Sequence, residues 1–247
     1  MAVYTKIHLN LAIDIGNTRT KLGLFQNNKP EEVLVVDNLK EINISKLIRE
    51  KDVTKSIVAS TKNIPARLLR ILENHTKHIV LDHKTGLPFK NKYATPHTLG
   101  YDRIALIAGI QEKYPNKNNL VIGCGTCITY NFINEKNEFI GGSIHPGLKM
   151  KLKAMHTFTK KLPLIDLKKT KSFFGKSTEE NLRIGSALAT ALEIDAMIDI
   201  YKVNFSQLNI LITGGDADFL VSLLKNQIFV HSNLTLVGLN HILEYNA

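Results

Sequence analysis

Short aliphatic runs broken by polar turns set the rhythm of the first half of this chain. Ile7 to Ile13 is rich in aliphatic residues, a polar turn follows, and Leu22-Gly23-Leu24-Phe25 resumes the apolar run. That pattern predicts two strands joined as a hairpin. Further strands are expected near Val33 to Val36, Ser56 to Ala59 and His78 to Leu81. They alternate with helical stretches at Ile42 to Arg49, Ala66 to Asn74 and Arg103 to Lys113. The last helix ends before Pro115, and the polar run Pro115-Asn116-Lys117-Asn118-Asn119 marks the best domain boundary, giving 1–115 and 116–247.

The second half repeats the opening. Leu120-Val121-Ile122 runs into Gly123-Cys124-Gly125-Thr126-Cys127, after which Ile128 to Ile133 alternates as a strand should. Glu138-Phe139-Ile140-Gly141-Gly142 reads as a strand and turn leading to Ser143-Ile144-His145-Pro146-Gly147. A long helix is predicted from Ser177, where Ser177 and Glu180 fit a capping box, through the alanine-rich Gly185 to Ile200. Small residues at Gly185, Ala187, Ala189 and Ala191 suit close packing against another helix, such as one from a second subunit.

The turn in the first hairpin, Asp14-Ile15-Gly16-Asn17-Thr18-Arg19-Thr20-Lys21, has the composition of a phosphate site. Gly16 and Asn17 tolerate tight-turn backbone angles, and Gly16 lets a ligand approach the main chain. Thr18, Arg19, Thr20 and Lys21 offer hydroxyl and cationic donors to phosphoryl oxygens. Asp14 can hold a magnesium ion, directly or through water, because this hard cation prefers carboxylate and phosphate oxygen. Read alone, the segment also fits an ordinary hairpin. Laying Ile13-Asp14-Ile15-Gly16-Asn17 over Ile122-Gly123-Cys124-Gly125-Thr126 gives strand, small turn, hydroxyl or amide, strand in both copies. Two such hairpins suggest two similar domains that clamp a nucleotide phosphate chain. The overlay sets Gly123 against Asp14. A third glycine turn, Leu211-Ile212-Thr213-Gly214-Gly215-Asp216-Ala217, follows another aliphatic strand and is a candidate backing for adenine and ribose.

Between the hairpins lies Tyr93-Ala94-Thr95-Pro96-His97-Thr98-Leu99-Gly100-Tyr101-Asp102-Arg103. Gly100 permits a tight turn, and Asp102 and Arg103 stand at the start of a helix. Phosphoryl transfer to an alcohol needs an acceptor for the hydroxyl proton and donors for charge on the transferring group. Asp102 and Arg103 can supply these, or Arg103 can pair with a substrate carboxylate. The same two residues fit a helix cap and a structural ion pair equally well.

Charge and cysteines narrow the class. The formal net charge is +10, with lysines concentrated from Lys149 to Lys176, including Lys151, Lys153, Lys160, Lys161, Lys168, Lys169 and Lys171. Without interleaved aromatics, helix-turn-helix or zinc-finger spacing, this reads as a solvated face that attracts anionic nucleotide, with no specific nucleic-acid partner. No apolar run approaches the roughly 20 residues needed to cross a bilayer, and Asn10 and Asp14 interrupt any signal-peptide core, so a cytoplasmic protein is expected. Cys124 and Cys127 are the only cysteines. With no further ligand pair for zinc, they read as small packed side chains in a reducing compartment.

In order and spacing, DIGNT, TLGYDR, CGTCIT, GGSIHPG and the late TGGDA resemble type III pantothenate kinase, over nearly the whole chain. The resemblance implies an α/β fold of two ribonuclease-H-like domains, as in the actin-like ATPase and sugar kinase superfamily, with mixed sheets flanked by helices. It implies ATP-dependent phosphorylation of pantothenate to 4'-phosphopantothenate, the first step of coenzyme A biosynthesis, by a cytoplasmic homodimer. The expected cofactors are Mg2+ or another divalent metal and a monovalent cation, K+ or NH4+. By the same resemblance, Asp14, Ile15, Gly16, Asn17, Thr18, Arg19, Thr20, Lys21 and Thr126 bind ATP, with Asp14 at the divalent metal. Tyr93, Gly100, Tyr101, Asp102 and Arg103 contact pantothenate, Asp102 is the proton acceptor, and Thr178 matches a later substrate-contacting threonine. The chain departs from the family pattern at Gly123, where an aspartate usually holds the monovalent cation, and at Asn131, where an aspartate is common. Weakened cation binding is the expected consequence. Two alternatives stand beside this reading: a catalytically weakened relative that binds nucleotide or pantothenate and regulates a partner, and a different kinase of the same superfamily.

Overall fold

A computed structural model describes residues 8–170 and 172–247, so Ile7 and Lys171 lie outside the described residues. The chain divides into two compact units, one running up to Pro115 and including Leu234–Ala247, the other Asn116–Asn233.

The first unit is built on β1 (Leu9–Ile15), β2 (Thr20–Gln26), β3 (Lys29–Val36), β4 (Val53–Ser60) and β5 (Lys77–Val80), in the order β3-β2-β1-β4-β5. The first three strands form an antiparallel meander, and β4 and β5 extend it in parallel. Helices α1 (Ile44–Glu50) and α2 (Ala66–His75) provide the crossovers. Leu11, Ile13, Ile15, Leu22 and Leu24 bury one face of the sheet with Ile48, Leu68 and Leu72. A two-residue strand, β6 (Lys90–Asn91), and a 3-10 turn at Pro96–Thr98 lead into α3 (Tyr101–Lys113), which packs on α8 (Leu234–Tyr245).

The second unit repeats this plan. Strands β7 (Asn118–Cys124), β8 (Cys127–Ile133) and β9 (Glu138–Pro146) are antiparallel, while β10 (Leu208–Thr213) and β11 (Phe229–Val230) continue in parallel from β7. Even burial is duplicated: β1 and β7 show the same burial pattern, residue for residue, with four consecutive buried residues in each. Leu120, Ile122, Ile128, Tyr130 and Phe132 form the core with Leu148 of α4 (Leu148–Phe158) and Ile194 and Ile198 of α6 (Ala189–Asn204). A short helix, α7 (Ala217–Val221), follows β10.

Four expectations are corrected. The last fourteen residues cluster with the first unit instead of the second, because nearly every side chain of α8 from Leu234 to Leu243 is buried there. Gly141 and Gly142 make no turn; β9 runs straight through them. A Cβ at Gly142 would lie 1.8 Å from Tyr130 O, so the glycine lets two strands approach, next to a register shift at Phe132/Ile133. The long helix begins as α5 (Thr178–Arg183) and passes through a π segment at Ile184–Leu188 before α6. Its capping box is only half formed. Ser177 Oγ accepts from Glu180 N–H at 3.3 Å, but the Glu180 carboxylate accepts from Lys176 N–H at 2.7 Å, one residue early.

Close approach also sets α3 against α8. A Cβ on Gly238 would sit 1.8 Å from Ala105 O, and one on Gly109 would sit 2.4 Å from Leu234 O. Gly238→Ala is therefore expected to cost about 3 kcal/mol or more, the upper end of overpacking penalties, because backbone must move. A urea midpoint equal to that of the unsubstituted protein would refute this.

Candidate functional site

Strand β1 delivers Asp14 one residue before its end, opposite Lys21 on β2. Gly16 N–H donates to Arg19 O at 3.1 Å, closing the turn, with Asn17, Thr18 and Arg19 exposed at its tip and Thr20 buried. Burial pushes the Asp14 carboxyl from its ordinary 3.8 up to about 6; Lys21 works against this shift and the charge of Asp102 adds to it. The two carboxylates thus feel each other within the first unit. Arg19 meets Asp37, with Nε 3.2 Å from a carboxylate oxygen.

Asp102 belongs to the first turn of α3, whose N-cap is Gly100 with no side-chain cap bond. Its Oδ1 lies only 2.5 Å from where a Cβ on Gly100 would be, so the missing side chain makes room for the carboxylate. Arg103 is buried and places its guanidinium 5.6 Å from the Tyr93 ring centroid. That contact holds a planar cation over an aromatic face. Tyr101 Oη lies 3.1 Å from Nε2 of His83. Asp14 to Lys21, Tyr93 and Gly100 to Arg103 therefore all belong to one unit.

Thr126, Gly123 and Thr178 belong to the other. The second turn is one residue shorter than the first: Gly125 N–H donates to Cys127 O at 3.0 Å. Thr126 is exposed at its tip, and its carbonyl accepts from Gly147 N–H at 3.1 Å. A Cβ on Gly147 would meet Gly125 O at 2.3 Å. Gly147 is the N-cap of α4, so the second turn abuts the positive end of a helix, which favours phosphate. In the sequence, α4 is marked only by Leu148 and Leu152, four apart after that glycine, and no helix is expected there.

The third turn braces the second. Gly214 has φ +109°, and a Cβ there would strike Cys124 O at 2.1 Å. Asp216 N–H donates to the same carbonyl at 3.2 Å. Burial, helped by Asp216, pushes the Cys124 thiol up to about 12, so it stays protonated at neutral pH. Gly123 lies between Thr129 on β8 and Thr213 on β10, both buried. Asn131 is buried and donates to Thr129 Oγ1 at 3.1 Å. This neighbourhood offers hydroxyl and amide groups, but position 123 carries no carboxylate. The His145 of GGSIHPG joins Ser143 at 2.8 Å to Glu193 at 2.5 Å, and Lys151 meets the same carboxylate at 2.9 Å, tying β9 and α4 to α6. Thr178 is exposed as the first residue of α5.

The sequence model of the type III pantothenate kinase family matches residues 10–200. The chain belongs to that family. A relative named type III pantothenate kinase from Christiangramia forsetii is 42% identical over 96% of this chain and 99% of its own. Among solved structures, a Baf family protein from Campylobacter jejuni superposes with a TM-score of 0.61 at 21% identity, covering 96% of this chain and 98% of that one. The activator of 2-hydroxyisocaproyl-CoA dehydratase from Clostridium difficile, solved with ADPNP, gives 0.53 at 11% identity over 96% and 94%. The fold is the α/β, two-sheet fold of actin-like ATPases and sugar kinases. Type III pantothenate kinase chemistry uses ATP with a divalent metal. Asp14 fits such an ion: its ionisation is opposed by burial and by Asp102, and a divalent cation relieves both. Among the described residues no three His, Cys, Asp or Glu side chains gather at one point, so the metal would take its remaining ligands from phosphate and water. No helix among them is long and apolar enough to cross a membrane.

Proposed function

We propose that this type III pantothenate kinase transfers the γ-phosphoryl group of ATP to the hydroxyl of pantothenate, giving 4'-phosphopantothenate and ADP as the first step of coenzyme A biosynthesis. The observation that carries the reading is the pairing, in one unit, of Asp14 at a phosphate turn with Asp102 at the start of α3. Asp14 would hold Mg2+, which when bound offsets negative charge on the phosphates. Asp102 accepts the hydroxyl proton as the new O–P bond forms and the bond to the β-phosphate oxygen breaks. Arg103, fixed over Tyr93, suits the pantothenate carboxylate. Thr126 and the N-terminus of α4 serve the phosphate chain, and Thr178 serves the acceptor substrate.

The residues present do not fit the family's monovalent-cation site, since Gly123 has no side chain and its strand neighbours are neutral threonines. Activity is expected to depend on K+ or NH4+ less than the family pattern implies, and Gly123→Asp is expected to create a measurable cation response. The test follows phosphopantothenate formation with ATP, Mg2+ and pantothenate across K+ and NH4+ titrations. Strong K+ activation of the unsubstituted protein would refute the weakened site. Nucleotide binding without turnover in any condition would favour the regulatory alternative.

A homodimer in the cytoplasm, with neither nucleic acid nor membrane as partner, completes the proposal. Ala187 and Ala191 are buried within the protomer and cannot meet a partner. Gly185, Ala189, Leu192, Ala196, Ile200 and Val203 instead make an exposed small and apolar stripe at helical spacing, which supports association through this helix. The free thiols of Cys124 and Cys127 suit a reducing compartment.

A further inference from the structure

Two cations of the first turn are already engaged, Arg19 with Asp37 and Lys21 with Asp14. A third arrives from a segment that the sequence pattern left unremarked. Strand β4 runs parallel to β1 with Ser60 level with Ile15. Thr61 N–H donates to Ile15 O at 3.2 Å, and Lys62 N–H donates to Ser60 Oγ at 3.0 Å. These bonds fix the backbone just beyond β4 beside the phosphate turn. Lys62 Nζ then donates to Asn17 O at 2.6 Å, in the middle of the DIGNT motif, while Thr61 Oγ1 reaches Asn17 Oδ1 at 3.4 Å.

An ammonium has three N–H donors, and the Asn17 carbonyl takes one. Lys62 and Asn17 are both exposed, so the other two donors remain open to a ligand lying on the turn. We propose that Lys62 is a ligand of the nucleotide phosphate chain, bridging Asn17 O and a phosphate oxygen. The inference rests on the nucleotide reading of the first turn and adds a residue to it. Its position outside the turn explains why motif spacing does not reveal it: parallel strand pairing, not sequence proximity, brings residue 62 to residue 17.

The test titrates Mg-ATP and, separately, pantothenate into the unsubstituted protein, Lys62→Ala, Lys62→Gln and Lys62→Arg by calorimetry. One charge-assisted hydrogen bond to phosphate predicts an ATP Kd about tenfold weaker in the Ala and Gln variants, with most of the affinity kept in the Arg variant. The pantothenate Kd and thermal midpoint stay unchanged, and the dependence of log Kd for ATP on log salt becomes shallower. Equal ATP affinity and salt slope in Lys62→Ala would overturn the assignment alone. Equal losses for ATP and pantothenate would overturn it as well, because they report a disturbed fold. Absence of ATP binding by the unsubstituted protein would overturn the nucleotide reading together with it.

Discussion

Asp102→Asn is expected to lower turnover by roughly two to four orders of magnitude, the range typical of general-base loss, with pantothenate affinity almost unchanged. Asparagine fills the same space beside Gly100, so binding geometry should survive. What disappears is the acceptor for the hydroxyl proton. Single-turnover formation of phosphopantothenate, measured beside a calorimetric pantothenate Kd, separates these effects. Near-normal turnover would exclude Asp102 as the base; a large loss of affinity with normal turnover would recast it as a binding group. Its neighbour Gly100 gives an independent check on position, since a Cβ there would clash with the carboxylate oxygen at 2.5 Å.

Asp14→Asn should act with opposite signs on stability and on catalysis. The folded protein holds the Asp14 proton up to about pH 6, whereas the unfolded chain releases it near 3.8. Between those values the native state binds more protons than the unfolded state, so stability falls as pH rises and stays low above pH 6. The gap corresponds to about 3 kcal/mol of destabilisation at neutral pH in the ligand-free protein. The neutral amide removes that penalty, and the variant should melt higher than the parent at pH 7.5 but not at pH 4. Catalysis should move the other way. Without the carboxylate, Mg2+ saturation should weaken strongly, and the loss of Mg-ATP affinity expected of the parent below about pH 6 should disappear. Identical Mg2+ titrations in the two proteins would remove Asp14 from the metal site, and identical melting profiles across pH would refute the cost of its burial.

Much of this arrangement is legible in the sequence because glycine turns between aliphatic strands leave a strong local signal. Asp14 and Gly123 occupy the same register positions in β1 and β7, as the overlay of the two motifs implies. The start of α3 at TLGYDR is equally plain, within two residues. The misses share a different physics. Helix α8 is apolar on nearly all sides, so it lacks the amphipathic period that reveals surface helices. Gly141 and Gly142 resemble a turn only because glycine serves close strand approach as well as chain reversal. Asp37, which meets Arg19, and Lys62, which meets Asn17, stand near the turn for a reason no motif contains: only the tertiary fold makes them its neighbours. Ala187 and Ala191 look alike with Ala189 in the sequence, yet helix rotation sends them to opposite sides.

The return of α8 to the first unit has a consequence for the order of biosynthesis. Asn10 on β1 donates to Asn240 Oδ1 at 2.9 Å and to Glu244 Oε1 at 2.5 Å, so the sheet bearing the first turn is secured by α8. On a ribosome, the 118 residues from Asn116 to Asn233 must be made before that helix exists, roughly 6 to 24 s at common elongation rates. The second unit can therefore mature first, although its gene segment is translated later than most of the other. A truncated product ending before Leu234 would present a finished second unit and an uncovered first sheet. Such a fragment exposes the apolar face meant for α8, a mark that proteases and chaperones recognise. Completion of the first unit thereby waits for the synthesis of α8.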